Sequence, residues 1–209
     1  MIEFFGKLYV PLEPDFLAAP SCEVGPRLIG SVIAMDYRGG EAAIALADLE
    51  AYDQVEGACH NHPTQRLSHG HAYVHPYHRS GMLALDLVCG PRGRASSVLI
   101  RAGIPVFGLD VMAVRRSAHP ESDKIVQNRA RGYERRIASG PGNVGEAFDV
   151  TMALDGAWLF DRPFRIYRPV APITDIEPRT RVNITRDAHP LWRWKWRNPP
   201  WAQATKLAA

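Results

Sequence analysis

Two apolar runs, residues 28–35 and 41–49, stand on either side of Tyr37-Arg38-Gly39-Gly40. A glycine-bearing turn between runs rich in Ile, Val and Ala predicts an antiparallel hairpin and commits the chain to a sheet. Further strands are predicted at 72–75, 83–89 and 96–102, the last closed by Gly103 and Pro105, and later at 164–167, 181–184 and 191–196. Helical patterning is confined to 16–19, 111–116, 123–137 and 144–148, the last opened by Ser139-Gly140-Pro141-Gly142. Strands in succession with scattered short helices predict an α+β fold with a largely antiparallel sheet, because strands and helices do not alternate as a doubly wound fold requires.

The chain has 209 residues, 46% of them apolar and 22% charged, a balance that suits one globular domain over residues 1–209 and excludes a disordered chain. The formal charge of +3 permits a polyanionic partner, and the basic residues thicken after Arg92 and again after Arg179. Cys22, Cys59 and Cys89 are odd in number and share no repeated spacing, so reduced thiols in a cytoplasmic protein are expected. The start of the chain lacks the pattern of a signal peptide, and no apolar run approaches the roughly 20 residues that span a bilayer.

Chemistry concentrates at Asp48-Leu49-Glu50-Ala51-Tyr52, where a carboxylate and an aromatic ring end an apolar strand just before a histidine-rich loop. A Glu held where a strand meets a loop can stay rigid and still touch water, which suits a general base. The plainer reading is a solvated Glu at a strand end. Arg101, closing the Val98-Leu99-Ile100 run, is a cation that a nearby carboxylate would satisfy, and Glu50 is the candidate. Six of the eight histidines fall between His60 and His78, yet their spacings fit no standard zinc site and no Cys-x-x-Cys occurs. We expect no metal and no cofactor, and place most of these histidines in a solvated loop facing a polyanion. The run Trp192-Arg193-Trp194-Lys195-Trp196-Arg197 has a period of two, which as a strand turns three indoles to one face and three cations to the other. Arg193, Lys195 and Arg197 are then candidate phosphate contacts. Gly140-Pro141-Gly142 lacks the Lys-Ser/Thr ending of a nucleotide-binding loop and reads as a helix-capping turn whose N–H groups could meet a DNA phosphate.

In order along the chain, Gly25-Pro26-Arg27-Leu28-Ile29-Gly30, Leu49-Glu50-Ala51-Tyr52, Ala58-Cys59-His60, Ala72-Tyr73-Val74, Val98-Leu99-Ile100-Arg101-Ala102, Gly140-Pro141-Gly142 and Arg181-Val182-Asn183-Ile184 resemble the alkyladenine (3-methyladenine) DNA glycosylase family. The resemblance implies a single compact domain with a curved sheet and a protruding hairpin that inserts into DNA. It implies hydrolysis of the N-glycosidic bond of a damaged purine flipped out of double-stranded DNA, by a monomer that needs no cofactor. Glu50 would activate water with Arg101 as its partner, and Tyr52 and His60 would line the base pocket. A flipped base needs an aromatic face, and a cationic alkylpurine leaves without further protonation, so one carboxylate suffices. No lysine adjoins Glu50, so strand cleavage through a Schiff base is not expected.

The departures from the family pattern fall where DNA is touched. His75 stands where a stacking Tyr is usual, and Asp86 where the family has a pocket Asn; if Asp86 faces the pocket, its charge should favour cationic alkylpurines over neutral hypoxanthine. Tyr77 and His78 are alternative candidates for the residue wedged into the minor groove. Arg66 and Arg79 join the candidate backbone contacts, although the usual motif around Arg66 is reduced to Thr64-Gln65-Arg66-Leu67. Two alternatives stand beside the glycosylase reading: a catalytically weak binder of damaged DNA, and a metal-dependent hydrolase built on the histidines.

Overall fold

The computed structural model of the protein describes residues 1–57, 59, 62–77, 81–119, 122–185 and 191–200. The predicted hairpin forms from β3 (Val32–Tyr37) and β4 (Gly40–Asp53), and a ten-stranded sheet grows around it. β1 (Ile2–Phe4) and β2 (Lys7–Pro11) lead to β8 (Phe164–Pro169) and so to the outer edge of β3. On the other side of β4 follow β7 (Ser96–Phe107), β6 (Met82–Val88) and β5 (Ala72–Tyr77). Past the reach of β3, residues 48–50 of β4 pair instead with β10 (Arg193–Trp196), which carries β9 (Ile176–Arg179). Every pairing is antiparallel, as the α+β reading expects.

Among the described residues there are four short α-helices, α1 (Ser21–Leu28), α2 (Leu109–Ser117), α3 (Lys124–Gln127) and α4 (Pro141–Phe148); α1, α2 and α4 pack on the sheet and α3 packs on α2. α4 lies so close to β6 that a Cβ on Gly145 would stand 2.0 Å from the Leu83 carbonyl oxygen. The glycines of that segment therefore serve helix–sheet contact, since only a residue without Cβ lets the two backbones approach. Residues 32–35 of β3, residues 42–46, Leu49 and Ala51 of β4, and Val98, Ile100 and Ile104 of β7 belong to one large core, beside which Tyr52, Cys59, Ala84, Ala95 and Leu99 form a smaller cluster.

Four boundaries differ from the sequence expectation, each for a local reason. The first apolar run begins inside α1, because Gly30 at φ +82° turns the chain from helix to strand. β7 continues through Gly103 and Pro105 to Phe107. β6 pairs only with residues 97–99, and the 138–140 segment bonds residues 101–103 farther along the same edge; Ile44 fills the space a Cβ at Gly103 would take. The predicted long helix at 123–137 is reduced to α3 and a single 3-10 turn, Tyr133–Arg135, because Arg129 (φ 48°) and Gly132 (φ 82°) leave helical space. Residues 181–184 form a turn with Asn183 at φ 59°, not a strand. The period of two in the tryptophan run holds: Trp194 and Trp196 are in the core and Lys195 is exposed.

Candidate active site

Cross-strand partners point to the same face of a sheet, and so do residues two apart on one strand. The register aligns Arg193, Glu50, Leu99, Asp86 and Tyr73 in one row across β10, β4, β7, β6 and β5. Their neighbours two residues away, Tyr52 on β4, Ser97 and Arg101 on β7 and His75 on β5, share that face. Arg101 is the extra residue of a β-bulge: Leu49 faces Ile100 and Asp48 faces Ala102, leaving no partner for Arg101 on β4. A bulge re-aims a side chain, and here the guanidinium turns to Glu50.

Three donors converge on the Glu50 carboxylate. Tyr52 Oη donates to Oε2 at 2.9 Å, Arg101 Nη1 to the same oxygen at 3.2 Å, and the Val182 backbone N–H to Oε1 at 2.8 Å. Burial first, then the Glu50 charge, pushes the Tyr52 hydroxyl far above its ordinary pKa, so it remains a donor. The carboxylate is 0% exposed. This corrects the expectation of a Glu touching water at a strand end: β4 runs on to Asp53, and the 181–184 turn closes over residue 50. Arg101 Nε is buried with no partner among the described residues.

Glu50 is not itself on the wall of the adjoining cavity of about 370 Å³, but Tyr52, Arg101 and Val182, the three residues that hold its carboxylate, are. Tyr73, His75, Pro76, Tyr77, Asp86, Leu99, Asn183 and Ile184 complete it. Asp86 contributes to the wall, yet its side chain is 0% exposed. One oxygen meets His75 Nε2 at 3.1 Å and the other accepts from Ser97 Oγ at 2.8 Å. Asp86 thus reaches the cavity wall, as expected of a pocket residue, with its carboxylate paired to His75 and Ser97.

The other candidates divide by location. Tyr77 lines the cavity beside the hairpin tip, whereas His60, His78 and Arg79 lie outside the described residues. Arg193, expected among the phosphate contacts, is committed inside the protein: Nε and Nη2 bond both oxygens of Asp48 at 2.9 and 2.7 Å, and Nε is 4.0 Å from Glu50 Oε1. Arg66 is similarly engaged with Asp155. Lys195 and Arg197 remain exposed, the latter 3.9 Å from Asp175. The described histidines do not gather: His69 is 3.9 Å from Asp15, His71 meets the edge of Trp158 and His75 meets Asp86. No three potential metal ligands come together among the described residues.

Sequence reasoning missed the supports behind the site. Arg181, buried, forms a double ion pair with Glu56 at 2.6 Å and stacks its guanidinium 4.9 Å from the Tyr52 ring, fixing the turn that delivers the Val182 N–H. Asp53 is held by both Nε and Nη2 of Arg94 and by Ser96 Oγ. The signal for the first lay in Arg181-Val182-Asn183-Ile184, whose lone Arg beside a positive-φ Asn was read as strand.

The fold and site define an α+β protein with a carboxylate set beside an aromatic cavity on one face of a bulged sheet. The sequence profile of the family described as methylpurine-DNA glycosylase matches residues 15–200, and the chain belongs to that family. Relatives named "Putative 3-methyladenine DNA glycosylase" include one from Rhodopseudomonas palustris strain HaA2, 32% identical over 90% of this chain and 88% of its own. One from Nitrosospira multiformis is 34% identical over 86% of each chain, and one from Corynebacterium jeikeium 31% over 84% of this chain and 83% of its own.

Proposed function

We propose that the protein excises alkylated purines, with deaminated purines as further candidates, from double-stranded DNA by hydrolysing the N-glycosidic bond. The observation that carries this is Glu50, clamped by Tyr52, Arg101 and Val182 beside a cavity of purine-accommodating size and aromatic lining. In this reading the flipped base occupies the cavity, and Tyr52, Tyr73 and His75 offer it flat faces. Water entering beside Arg101 is aimed by Glu50 at the sugar carbon as the base departs, and the negative charge stabilises the positive character that develops there. An N3- or N7-alkylated purine is already cationic, so no second carboxyl is required to protonate it. With no lysine neighbouring Glu50 in sequence, the enzyme is monofunctional and leaves an abasic site. Tyr77 or His78 fills the gap in the duplex, and exposed Lys195 and Arg197 contact phosphates.

The test is release of free 3-methyladenine from methylated duplex DNA. Wild type should release it under single-turnover conditions, and Glu50→Gln should bind the same DNA without turnover. Undiminished release by Glu50→Gln, or no release of any damaged base by wild type, would overturn the proposal.

A further inference from the structure

The cavity wall carries a second ion pair, His75 with Asp86, on the same sheet face as Arg101 with Glu50. His75 presents 23% of its side chain and Arg101 12%, while their carboxylate partners Asp86 and Glu50 present none. Both cations therefore face the cavity, and both anions stand behind them.

His75 is placed so that each ring nitrogen meets an acceptor. Nε2 is 3.1 Å from Asp86 Oδ1, and Nδ1 is 3.2 Å from the Pro76 carbonyl oxygen. A neutral imidazole has a single N–H and satisfies only one such acceptor, whereas the imidazolium satisfies both. The ring also stacks on Tyr73, centroids 5.0 Å apart and planes inclined by 19°, a face that favours a cation. Asp86 keeps its place through Ser97.

We propose that His75, held as an imidazolium by Asp86 and the Pro76 carbonyl, makes this cavity favour neutral damaged purines, and that removing its proton turns the preference toward cationic alkylpurines. With the proton on, a neutral purine gains a cation–π face, while a cationic base meets His75 and Arg101 before it meets any anion. With the proton off, His75 no longer offsets the Asp86 charge a few ångströms from the bound base, and the wall becomes more negative.

The charged and titratable groups facing His75 are few among the described residues. Tyr73 and Tyr77 come from its own strand, Asp86 from β6, Arg101 from β7, and Tyr52 with Glu50 from β4. Asp155, already paired with Arg66, acts from farther off, and residues 182–184 bring no charge. Burial pulls the ring down, but the Asp86 charge and hydrogen bond, the Pro76 carbonyl and Asp155 together hold it above its ordinary value.

This inference rests on the glycosylase reading for its substrates, and the experiment separates the two. Single-turnover release of 3-methyladenine, cationic in DNA, and of 1,N6-ethenoadenine, which is neutral, would be measured from pH 6 to 9. The ratio of the first to the second should rise on the order of tenfold or more with pH in wild type, the size of change a unit charge beside a buried ligand produces. In His75→Phe the ratio should be flat, and in Asp86→Asn its rise should move to lower pH. A flat ratio in wild type, or an equal rise in His75→Phe, would overturn the inference. If wild type releases neither base, the glycosylase reading fails, and the imidazolium is judged by NMR titration of the His75 ring nitrogens in the free protein. A ring charged above the range of exposed histidines in wild type, and lowered in Asp86→Asn, supports it; an ordinary titration in both refutes it.

Discussion

Replacing Arg181 with Met tests whether the turn over Glu50 is braced from behind. Arg181 makes two contacts of 2.6 Å with Glu56, donates to the Ala51 carbonyl at 3.0 Å, and lies against the Tyr52 and Trp192 rings at 4.9 and 5.5 Å. Its side chain is 0% exposed and that of Glu56 5%. Methionine fills the volume of the stem but strands the Glu56 carboxylate in a dry site. Removing one member of a buried pair costs about 3–5 kcal/mol, against at most about 1 kcal/mol for a surface pair. That is a large share of a typical folding free energy of about 5–15 kcal/mol. Urea unfolding of Arg181→Met, Glu56→Gln and the double variant gives the comparison, and the single losses should exceed the double loss by about 2 kcal/mol. Because Val182 follows Arg181, the loosened turn should also withdraw its N–H from Glu50. A hydrogen bond to a charged group is worth about 1.5–3 kcal/mol, so single-turnover base release by folded Arg181→Met should fall by roughly ten- to a hundredfold. Additive single losses below about 1 kcal/mol, or an unchanged rate in a folded variant, would refute the bracing argument.

Glu50→Gln keeps the shape of the side chain but sets an NH2 group among three donors. It should lose about 1–3 kcal/mol in urea unfolding yet stay folded, while base release falls at least about a hundredfold. Gly145→Ala drives a Cβ onto the Leu83 carbonyl oxygen and should cost about 1–3 kcal/mol or more, read as a lowered midpoint of thermal unfolding. Cys89 is buried, and burial first, then the Asp86 and Asp53 charges, raise its thiol far above the ordinary range. A thiol reagent at pH 8 should label it only at the rate of unfolding, and fast labelling of the native protein would contradict its burial. His75 has a raised folded-state pKa, so its contribution to stability is complete below an ordinary value of 6.5 and is lost as pH rises through the folded value. The stability advantage of wild type over His75→Gln should shrink across that window, and a constant difference would argue against the charged pair.

The sequence disclosed most of the sheet because its buried strands are short, apolar and bounded by turn residues. The β3–β4 hairpin, β5, β6, β8 and β10 lie within a few residues of their predicted bounds. β1, β2 and β9 were missed: β1 is Ile2-Glu3-Phe4, and β9 is Ile176-Glu177-Pro178-Arg179, with a proline and two charges. Such strands are ordered by partners far away in the chain, which no local pattern reports. Glu50, Arg101 and Tyr52 stand out in the sequence as polar residues beside apolar runs, although all three lie inside strands that continue past them. Their supports do not stand out, since Arg181 reaches Glu56 across 125 positions and Arg193 reaches Asp48 across 145. A cation in a turn or on a strand looks the same in sequence whether it faces a phosphate or a buried carboxylate. That is why Arg193 was read as a DNA contact and is instead an internal partner.

The bulge at Arg101 then becomes the decisive irregularity of the sheet. Asp48 and Glu50 share a face two residues apart, so a regular register continued from the Leu49–Ile100 pair would set Arg101 opposite Asp48. Two carboxylates would then compete for the Arg101 guanidinium, with Arg193 on β10 level with Glu50 as it is now. The extra residue in β7 moves Ala102 opposite Asp48 and frees Arg101. Arg193 takes both oxygens of Asp48, Arg101 takes Glu50, and each anion has its own cation. The difference between the two arginines is also the difference between scaffold and site. Arg193 is spent in a two-point fork, while Arg101 makes one bond to Glu50 and keeps Nε unpartnered among the described residues, on the wall of the cavity. In the reaction proposed above, Arg101, on the cavity wall and singly bonded to Glu50, is the cation that would stand beside the water.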